Sequence, residues 1–208
     1  MIIKKLEVGP IMANCYILGC DRTRKAVVID PGDEADRILM ALSELKLSVE
    51  YILNTHGHFD HVGANARLKE ATGAKLMIHQ DDAPMLKDLT SAAATFGLRA
   101  ENSPAPDGYL ADGDEVTFGD ITLTVIHTPG HSRGGISLYT KGVLFSGDTL
   151  FAGSIGRTDL PGGNYDTLIH SIKTRLLCLD KKTIVYPGHG PETSILQEER
   201  MNPFLGRQ

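Results

Sequence analysis

Thr55-His56-Gly57-His58-Phe59-Asp60-His61 is the stretch that decides the reading of this sequence. Four of its side chains, His56, His58, Asp60 and His61, are competent metal ligands. They come directly after the mostly apolar run Val49-Glu50-Tyr51-Ile52-Leu53, which reads as a strand. Imidazole and carboxylate are the usual donors for zinc, iron and manganese. His56 and His58 are two residues apart, so extended backbone turns both to the same side. Asp60 and His61 fall where the chain enters a helix expected over residues 61–71, and they can address a second position. Gly57 adds the backbone freedom that close packing around an ion requires. Without a cation, such clustering would leave repelling or desolvated polar groups.

Three further donors lie downstream in a shared local grammar of strand, glycine, donor. His131 stands in Thr128-Pro129-Gly130-His131-Ser132, after a strand over 121–126. Asp148 stands in Phe145-Ser146-Gly147-Asp148-Thr149, and His189 in Tyr186-Pro187-Gly188-His189-Gly190. A glycine before the donor lets the backbone bend so that strand ends from distant parts of the chain aim into one cleft.

With these motifs the sequence resembles the metallo-β-lactamase superfamily and, within it, the short bacterial glyoxalase II-like (hydroxyacylglutathione hydrolase-like) group. The resemblance runs from about residue 14 to residue 205. It implies an α/β (α+β) fold, a four-layer αββα sandwich with metals at one edge of its two sheets. It also implies that His56, His58 and His131 hold one divalent ion, that Asp60, His61 and His189 hold another, and that Asp148 bridges them. Asp60 and Asp148 would be the catalytic carboxylates. Zinc is the first expectation for both metals, with iron or manganese as alternatives. The implied activity is hydrolysis of a small-molecule thioester, such as S-D-lactoylglutathione, to D-lactate and glutathione. The attacking water would be one whose pKa two neighbouring cations lower toward neutrality.

Substrate contacts are less legible. Arg157, in Gly153-Ser154-Ile155-Gly156-Arg157-Thr158-Asp159, is a candidate for an anionic substrate group or for a surface salt bridge with Asp159. Full-length glyoxalase II enzymes carry a C-terminal helical region that supplies basic residues for glutathione. This chain ends at Gln208, so residues 1–208 are expected to form a single domain without that region. The alternative reading is a mononuclear iron persulfide dioxygenase, a group that shares the fold, the His56–His61 pattern and a similar Gly-Arg-Thr-Asp stretch. Its iron would use only His56, His131 and Asp148. The segment Pro187-Gly188-His189-Gly190-Pro191 suits a two-metal hydrolase better. A β-lactamase is disfavoured because its usual second metal site contains a cysteine, and position 148 is aspartate.

Composition agrees with a small enzyme. The chain has 208 residues, 41% hydrophobic and 23% charged, with a net charge of −5. That length buries a real core. The mild acidity argues against nucleic acid or an anionic membrane as the main partner. No apolar run approaches a membrane span, and the N-terminus turns polar too early for a signal peptide. Cys15, Cys20 and Cys178 match no zinc or redox spacing and are expected as reduced thiols in the cytoplasm, a Cys15–Cys20 bridge being the alternative. Oligomeric state is not legible.

Around the motifs, residues 14–19 and 26–30 read as an antiparallel strand pair. Helices are expected over 35–45, 81–96, 165–179 and 194–201, and strands over 75–78, 135–139, 143–145 and 183–186. Residues 99–108 read as a surface loop. His127 is expected as a structural histidine that supports a ligand, His79 as a capping or surface residue beside a helix-capping Asp81, and His170 as solvated. Asn14 and Cys15 lie near the N-terminal strands, and Cys15 is expected to be buried, a thiol role being the alternative. Asp30 reads equally as a turn residue or as a carboxylate that hydrogen-bonds a ligand histidine.

Overall fold

Residues 13–29 show why this chain makes sheets covered on both sides. The structure is a computed structural model that describes residues 1–206. β1 (Ile2–Val8), β2 (Ala13–Gly19) and β3 (Lys25–Ile29) pair antiparallel. Along β2 every residue is buried. Cys15 and Ile17 face one apolar cluster, while Tyr16 and Leu18 face another. This period of two, apolar on both faces, is the mark of a strand sandwiched between layers.

β4 (Ser48–Leu53), β5 (Lys75–Ile78) and β6 (Gly108–Tyr109) extend the sheet in parallel from β3, giving the order β1-β2-β3-β4-β5-β6. The second sheet has the order β14-β13-β10-β9-β8-β7. Its strands are β7 (Glu115–Phe118), β8 (Ile121–His127), β9 (Ile136–Thr140), β10 (Val143–Gly147), β13 (Ile184–Pro187) and β14 (Thr193–Ser194). β11 (Leu150–Phe151) and β12 (Ser154–Ile155) form a small separate hairpin.

Three apolar clusters separate four layers. Tyr16, Val27, Leu53, Leu123, Leu138 and Phe145 fill the space between the sheets. Ile38 and Leu42 of α1 (Ala35–Glu44), with Leu68 of α3 (Asn65–Thr72), cover the first sheet. Leu168 of α5 (Tyr165–Ser171) and Ile195 of α6 (Ile195–Met201) cover the second. Each such aliphatic side chain contributes about 1.5–3 kcal/mol by leaving water. The αββα expectation therefore holds.

Several boundaries differ from the periodicity. The helix expected over 61–71 is split into α2 (Phe59–Val62) and α3, because the Pro31–Gly32 segment intrudes and Pro31 O takes the Ala64 N–H at 2.9 Å. The helix expected over 81–96 is a 3₁₀ turn at Ala83–Lys87 followed by α4 (Leu89–Ala94). Asp81 does not cap it; Asp82 holds the position before the 3₁₀ turn and sends its carboxylate elsewhere. The stripe expected over 165–179 starts as α5 and widens into a π turn at Ile172–Leu176, where Leu177 N reaches back to Ile172 O. α5 and α6 carry side-chain caps: Asn164 accepts from Thr167 N, and Ser194 from Gln197 N.

Among the described residues no helix is long and apolar enough to cross a membrane. Cys15, Cys20 and Cys178 are free thiols, so the Cys15–Cys20 bridge does not form.

Candidate metal centre

The carboxyl ends of β4, β8, β10 and β13 meet at one edge of the sandwich, and the downstream turns carry the candidate donors there. His56 follows β4, and His58 stands in extended backbone just before α2. The ring centroids of His56 and His131, and of His58 and His131, lie 4.7 and 4.6 Å apart. His131 Nε2 is 2.8 Å from His58 Nδ1. One ligand atom each from His56, His58 and His131 falls within 4.8 Å of the others, as does one each from Asp60, His61 and His189. In the second group His61 Nε2 and His189 Nε2 are 3.2 Å apart, and Asp60 Oδ2 lies 3.5 and 3.3 Å from them. A tetrahedral ion with bonds of about 2.0–2.1 Å spaces its ligands by about 3.3 Å.

Asp148 lies between the groups. Its Oδ1 is 3.4 Å from His61 Nε2, and its Oδ2 is 3.6 Å from both His131 Nε2 and His189 Nε2. His56 Nε2 and Asp148 Oδ1 are buried without any hydrogen-bond partner. An unsatisfied buried polar atom costs about 1–3 kcal/mol. Both orphans belong to the convergent cluster, so the donor set fits a pair of cations.

The remaining ring nitrogens are fixed by partners behind them. His61 Nδ1 donates to Asp30 Oδ2 at 3.2 Å. Thr55 donates its hydroxyl to Asp30 Oδ2 at 2.6 Å and its N–H to Asp30 Oδ1 at 2.7 Å. That leaves Thr55 Oγ1 to accept from His56 Nδ1, 3.1 Å away. His131 Nδ1 donates to Arg157 O at 2.8 Å. Each arrangement frees an Nε2 lone pair for the centre of the cluster. Of the two readings of Asp30, the histidine-bonding one matches its position: it is 2% exposed and in the left-handed region at φ 50°.

The electrostatics divide the cluster. Burial, reinforced by neighbouring histidines, pushes His56 well below its ordinary value, and the same causes hold His58 down at about 4. Burial also opposes charge on His61, but Asp148, Asp60 and Asp30 override it and raise His61 to about 10. At His189 the Asp60 hydrogen bond and Asp148 likewise overcome burial and raise the imidazole. Burial would raise Asp60, yet His61 and His189 hold its carboxyl below the usual range.

Glycine is required at several places around the centre, Gly188 and Gly147 among them. A Cβ on Gly188 would stand 2.1 Å from Asp148 Oδ1. Gly147 adopts φ 51°, and a Cβ there would meet Thr55 Oγ1 at 2.4 Å. Gly57 has no left-handed conformation; the Asp82 carbonyl and Met85 pack against it instead.

Other candidates sort as follows. The Arg157 guanidinium is paired with Asp159 at 2.8 and 2.7 Å, and Arg157 reaches the cluster only through its carbonyl. His127 Nε2 donates to Arg133 O at 3.1 Å and the ring stacks on His79, the rings 4.5 Å apart and 5° from parallel. His79 is therefore buried in a pair rather than at the surface, because the β5 end and the β8 end converge, and its Nδ1 accepts the Asp81 N–H at 3.2 Å just ahead of the 3₁₀ turn, a capping contact. His170 is exposed, as expected. Asn14 Nδ2 donates to Pro187 O and Gly190 O, clamping the His189 turn, while burial pushes the Cys15 thiol upward.

Two organising carboxylates escape a reading of the sequence. Asp82 accepts from Gly57 N at 3.1 Å, Ser132 Oγ at 2.7 Å and Gly134 N at 2.7 Å, tying the His56–His58 turn to the His131 turn. Glu198 accepts from Gly153 N, Thr193 Oγ1 and Asn202 Nδ2, and so holds the loop that carries Arg157. Acidic residues beside helices look solvated in sequence, and nothing local marks these two as buried.

A family model described as "Metallo-beta-lactamase superfamily" matches residues 8–189, and the chain belongs to that superfamily. Hydroxyacylglutathione hydrolase GloC of Haemophilus influenzae is 40% identical, over 96% of this chain and 97% of its own. The crystal structure of BLEG-1, a B3 metallo-beta-lactamase, is 39% identical with a TM-score of 0.92, over 98% of this chain and 99% of that one. TTHA1623 in a di-iron-bound form is 41% identical with a TM-score of 0.90, over 97% of this chain and 100% of that one. The two donor groups here are consistent with a dinuclear centre like the one that chain carries.

Proposed function

We propose that the chain is a metal-dependent hydrolase of thioesters, with S-D-lactoylglutathione as the representative substrate and D-lactate and glutathione as products. His56, His58 and His131 would hold one ion and Asp60, His61 and His189 the other, with Asp148 placed between the two groups to serve both. A bound pair of divalent ions supplies an ionised water at neutral pH and Lewis-acid stabilisation of the carbonyl oxygen. The protein's own part is positional. Asp30, Thr55 and the Arg157 carbonyl keep three imidazoles in the tautomer that presents Nε2. Asp60 Oδ2, at the rim of the cluster, orients the attacking water by accepting its hydrogen. The observation that carries the reading is the pair of buried, unpartnered atoms, His56 Nε2 in the first donor set and Asp148 Oδ1 between the first set and a complete second one.

The complete second set favours this reading over a mononuclear iron dioxygenase, which would leave Asp60, His61 and His189 without a role. The resemblance to BLEG-1 makes β-lactam hydrolysis the competing activity, whatever stands at position 148. The test is hydrolysis of S-D-lactoylglutathione by metal-replete protein, with a chelated control. A chelator-sensitive kcat/KM of about 10⁴ M⁻¹s⁻¹ or more is expected. Faster turnover of nitrocefin, or oxygen uptake with glutathione persulfide, would replace the thioesterase reading with the corresponding alternative.

Proton release checks the ligand assignment independently of activity. In the metal-free protein His61 is protonated up to about pH 10, well above its ordinary 6.5. Metal uptake must displace that proton, and in part the one on His189. Addition of zinc in weak buffer at pH 7 is therefore expected to acidify the solution, and apparent affinity should climb with pH until about 10. The stability that protonated His61 gives the metal-free fold is full below 6.5 and is lost as pH rises through about 10. Metal binding without proton release at pH 7 would remove His61 from the ligand set.

A further inference from the structure

We infer that Asn14 and Tyr16 are positioning residues for His189, and that they set the affinity for the ion of the Asp60–His61–His189 group without changing that of the His56–His58–His131 group. The inference rests on the two-ion assignment above and not on the identity of the substrate.

Each donor group crosses between the sheets. His56 and His58 follow β4 of the first sheet, and His131 follows β8 of the second. Asp60 and His61 lie in α2, which also comes after β4, and His189 follows β13 of the second sheet. Each group thus draws one imidazole from the far sheet. Its geometry depends on what holds that one turn against the near sheet.

The His189 turn is held by β2. Asn14 Nδ2 donates to Pro187 O and to Gly190 O, each at 2.9 Å, and Asn14 N donates to Gly188 O at 2.7 Å. The Tyr16 hydroxyl donates to Pro187 O at 2.7 Å. Ala13 pairs with His189 itself in an isolated bridge. Carbonyls on both sides of His189 are therefore bound to one strand of the opposite sheet. Asn14 and Tyr16 are two residues apart, 0% and 2% exposed, and share the strand face that looks into the space between the sheets. The bond that ties this turn to the Asp148 turn, Gly188 N to Gly147 O at 2.8 Å, involves neither residue.

His189 depends on this support more than the other imidazoles do. His56, His61 and His131 are each fixed through Nδ1, by Thr55, Asp30 and the Arg157 carbonyl. Among the described residues nothing hydrogen-bonds His189 Nδ1, and its polar contacts run through Nε2. Its side chain is 26% exposed, against 0% for His61. With neither a partner behind the ring nor close packing around it, the backbone of the turn decides where Nε2 stands.

The first group has a tie of its own. Asp82 joins the His56–His58 turn to the His131 turn through Gly57 N, Ser132 Oγ and Gly134 N. The two ties share no residue, so each can be cut alone. Loss of a group that orients a metal ligand weakens binding by about 10–100-fold.

The test adds zinc to the metal-free full chain, counts ions by native mass spectrometry and measures both affinities against a competing chelator. The parent should take up two ions. Asn14→Ala should keep one ion at parental affinity and bind the other about 10–100-fold more weakly. Tyr16→Phe keeps the ring, removes one hydrogen bond and should show the same split to a smaller degree; it decides the matter if Asn14→Ala does not fold. His189→Ala removes the second ion. In that background Asn14→Ala and Tyr16→Phe should leave the remaining affinity unchanged, whereas Asp82→Asn should weaken it. Equal weakening of both ions, or further weakening in the His189→Ala background, would show general damage and overturn the inference. Two unchanged affinities would overturn it as well, with the two-ion assignment intact. A parent that takes up a single ion would overturn that assignment and this inference together.

Discussion

Asp148→Ala is expected to lower kcat/KM for thioester hydrolysis by about 10³-fold or more, the scale of losing a central electrostatic group. The residue sits between both donor groups, within 3.6 Å of His61, His131 and His189. Its Oδ1 has no hydrogen-bond partner, but its carboxylate is the first of the charges that raise buried His61, so alanine also removes that ion pair from the metal-free protein. The loss should therefore appear in metal content and rate, and the stability that protonated His61 gives the metal-free protein should fall with it. Asp148→Asn keeps the shape and removes the charge, and is expected to lose metal as well. Mass spectrometry of the native protein gives the metal count, and the thioester assay gives the rate. A metal-replete Asp148→Ala protein within tenfold of the parent would remove the bridging assignment. His189→Ala separates the rival chemistries: a two-metal hydrolase loses activity with it, and a mononuclear iron site built on His56, His131 and Asp148 does not need it.

Asp30→Asn should have the second largest effect, this time on stability and metal affinity together. The Asp30 carboxylate receives the Thr55 N–H, the Thr55 hydroxyl and the His61 Nδ1–H. All these donors point at a group that is 2% exposed. An asparagine must turn its NH₂ toward one of them, leaving two donors face to face. A cost of about 2–4 kcal/mol is expected, read as a lowered urea midpoint of the metal-free protein. Thr55 would also lose its orientation, and with it the partner of His56 Nδ1. Metal affinity should drop about 10–100-fold, the usual scale for a group that orients a ligand. Titration against a competing chelator measures it. Unchanged affinity in Asp30→Asn would show that imidazole orientation does not depend on this carboxylate.

Much of the frame was readable because it is written in local periodicity. The all-buried β2, the buried run after Lys25 in β3, the alternation in β8, the α1 stripe and the Ser194 start of α6 each follow from residues within one turn or one pleat. β1 was harder. It is an edge strand in which Lys5 and Glu7 alternate with buried Leu6 and Val8 while Lys4 is exposed as well, and lysine on an edge suppresses the apolar signal while protecting the edge. The breaks at residues 63–64 and at Asp88 arise from contacts made by distant segments, such as the Pro31 carbonyl taking the Ala64 N–H. No local window contains that information.

The sequence by itself determined the donor inventory, the strand-glycine-donor turns and the superfamily, because chemistry-bearing side chains at fixed spacing are stated in one dimension. Only the tertiary structure decided the rest: that Asp30 serves two histidines, that Asp82 and Glu198 are buried organisers, that His79 stacks on His127, and that Arg157 turns its guanidinium to Asp159. The physical reason is common to all of them. A carboxylate, imidazole or guanidinium looks alike in sequence whether solvated or buried, and its role is set by which partners the packing of two sheets brings within about 3 Å.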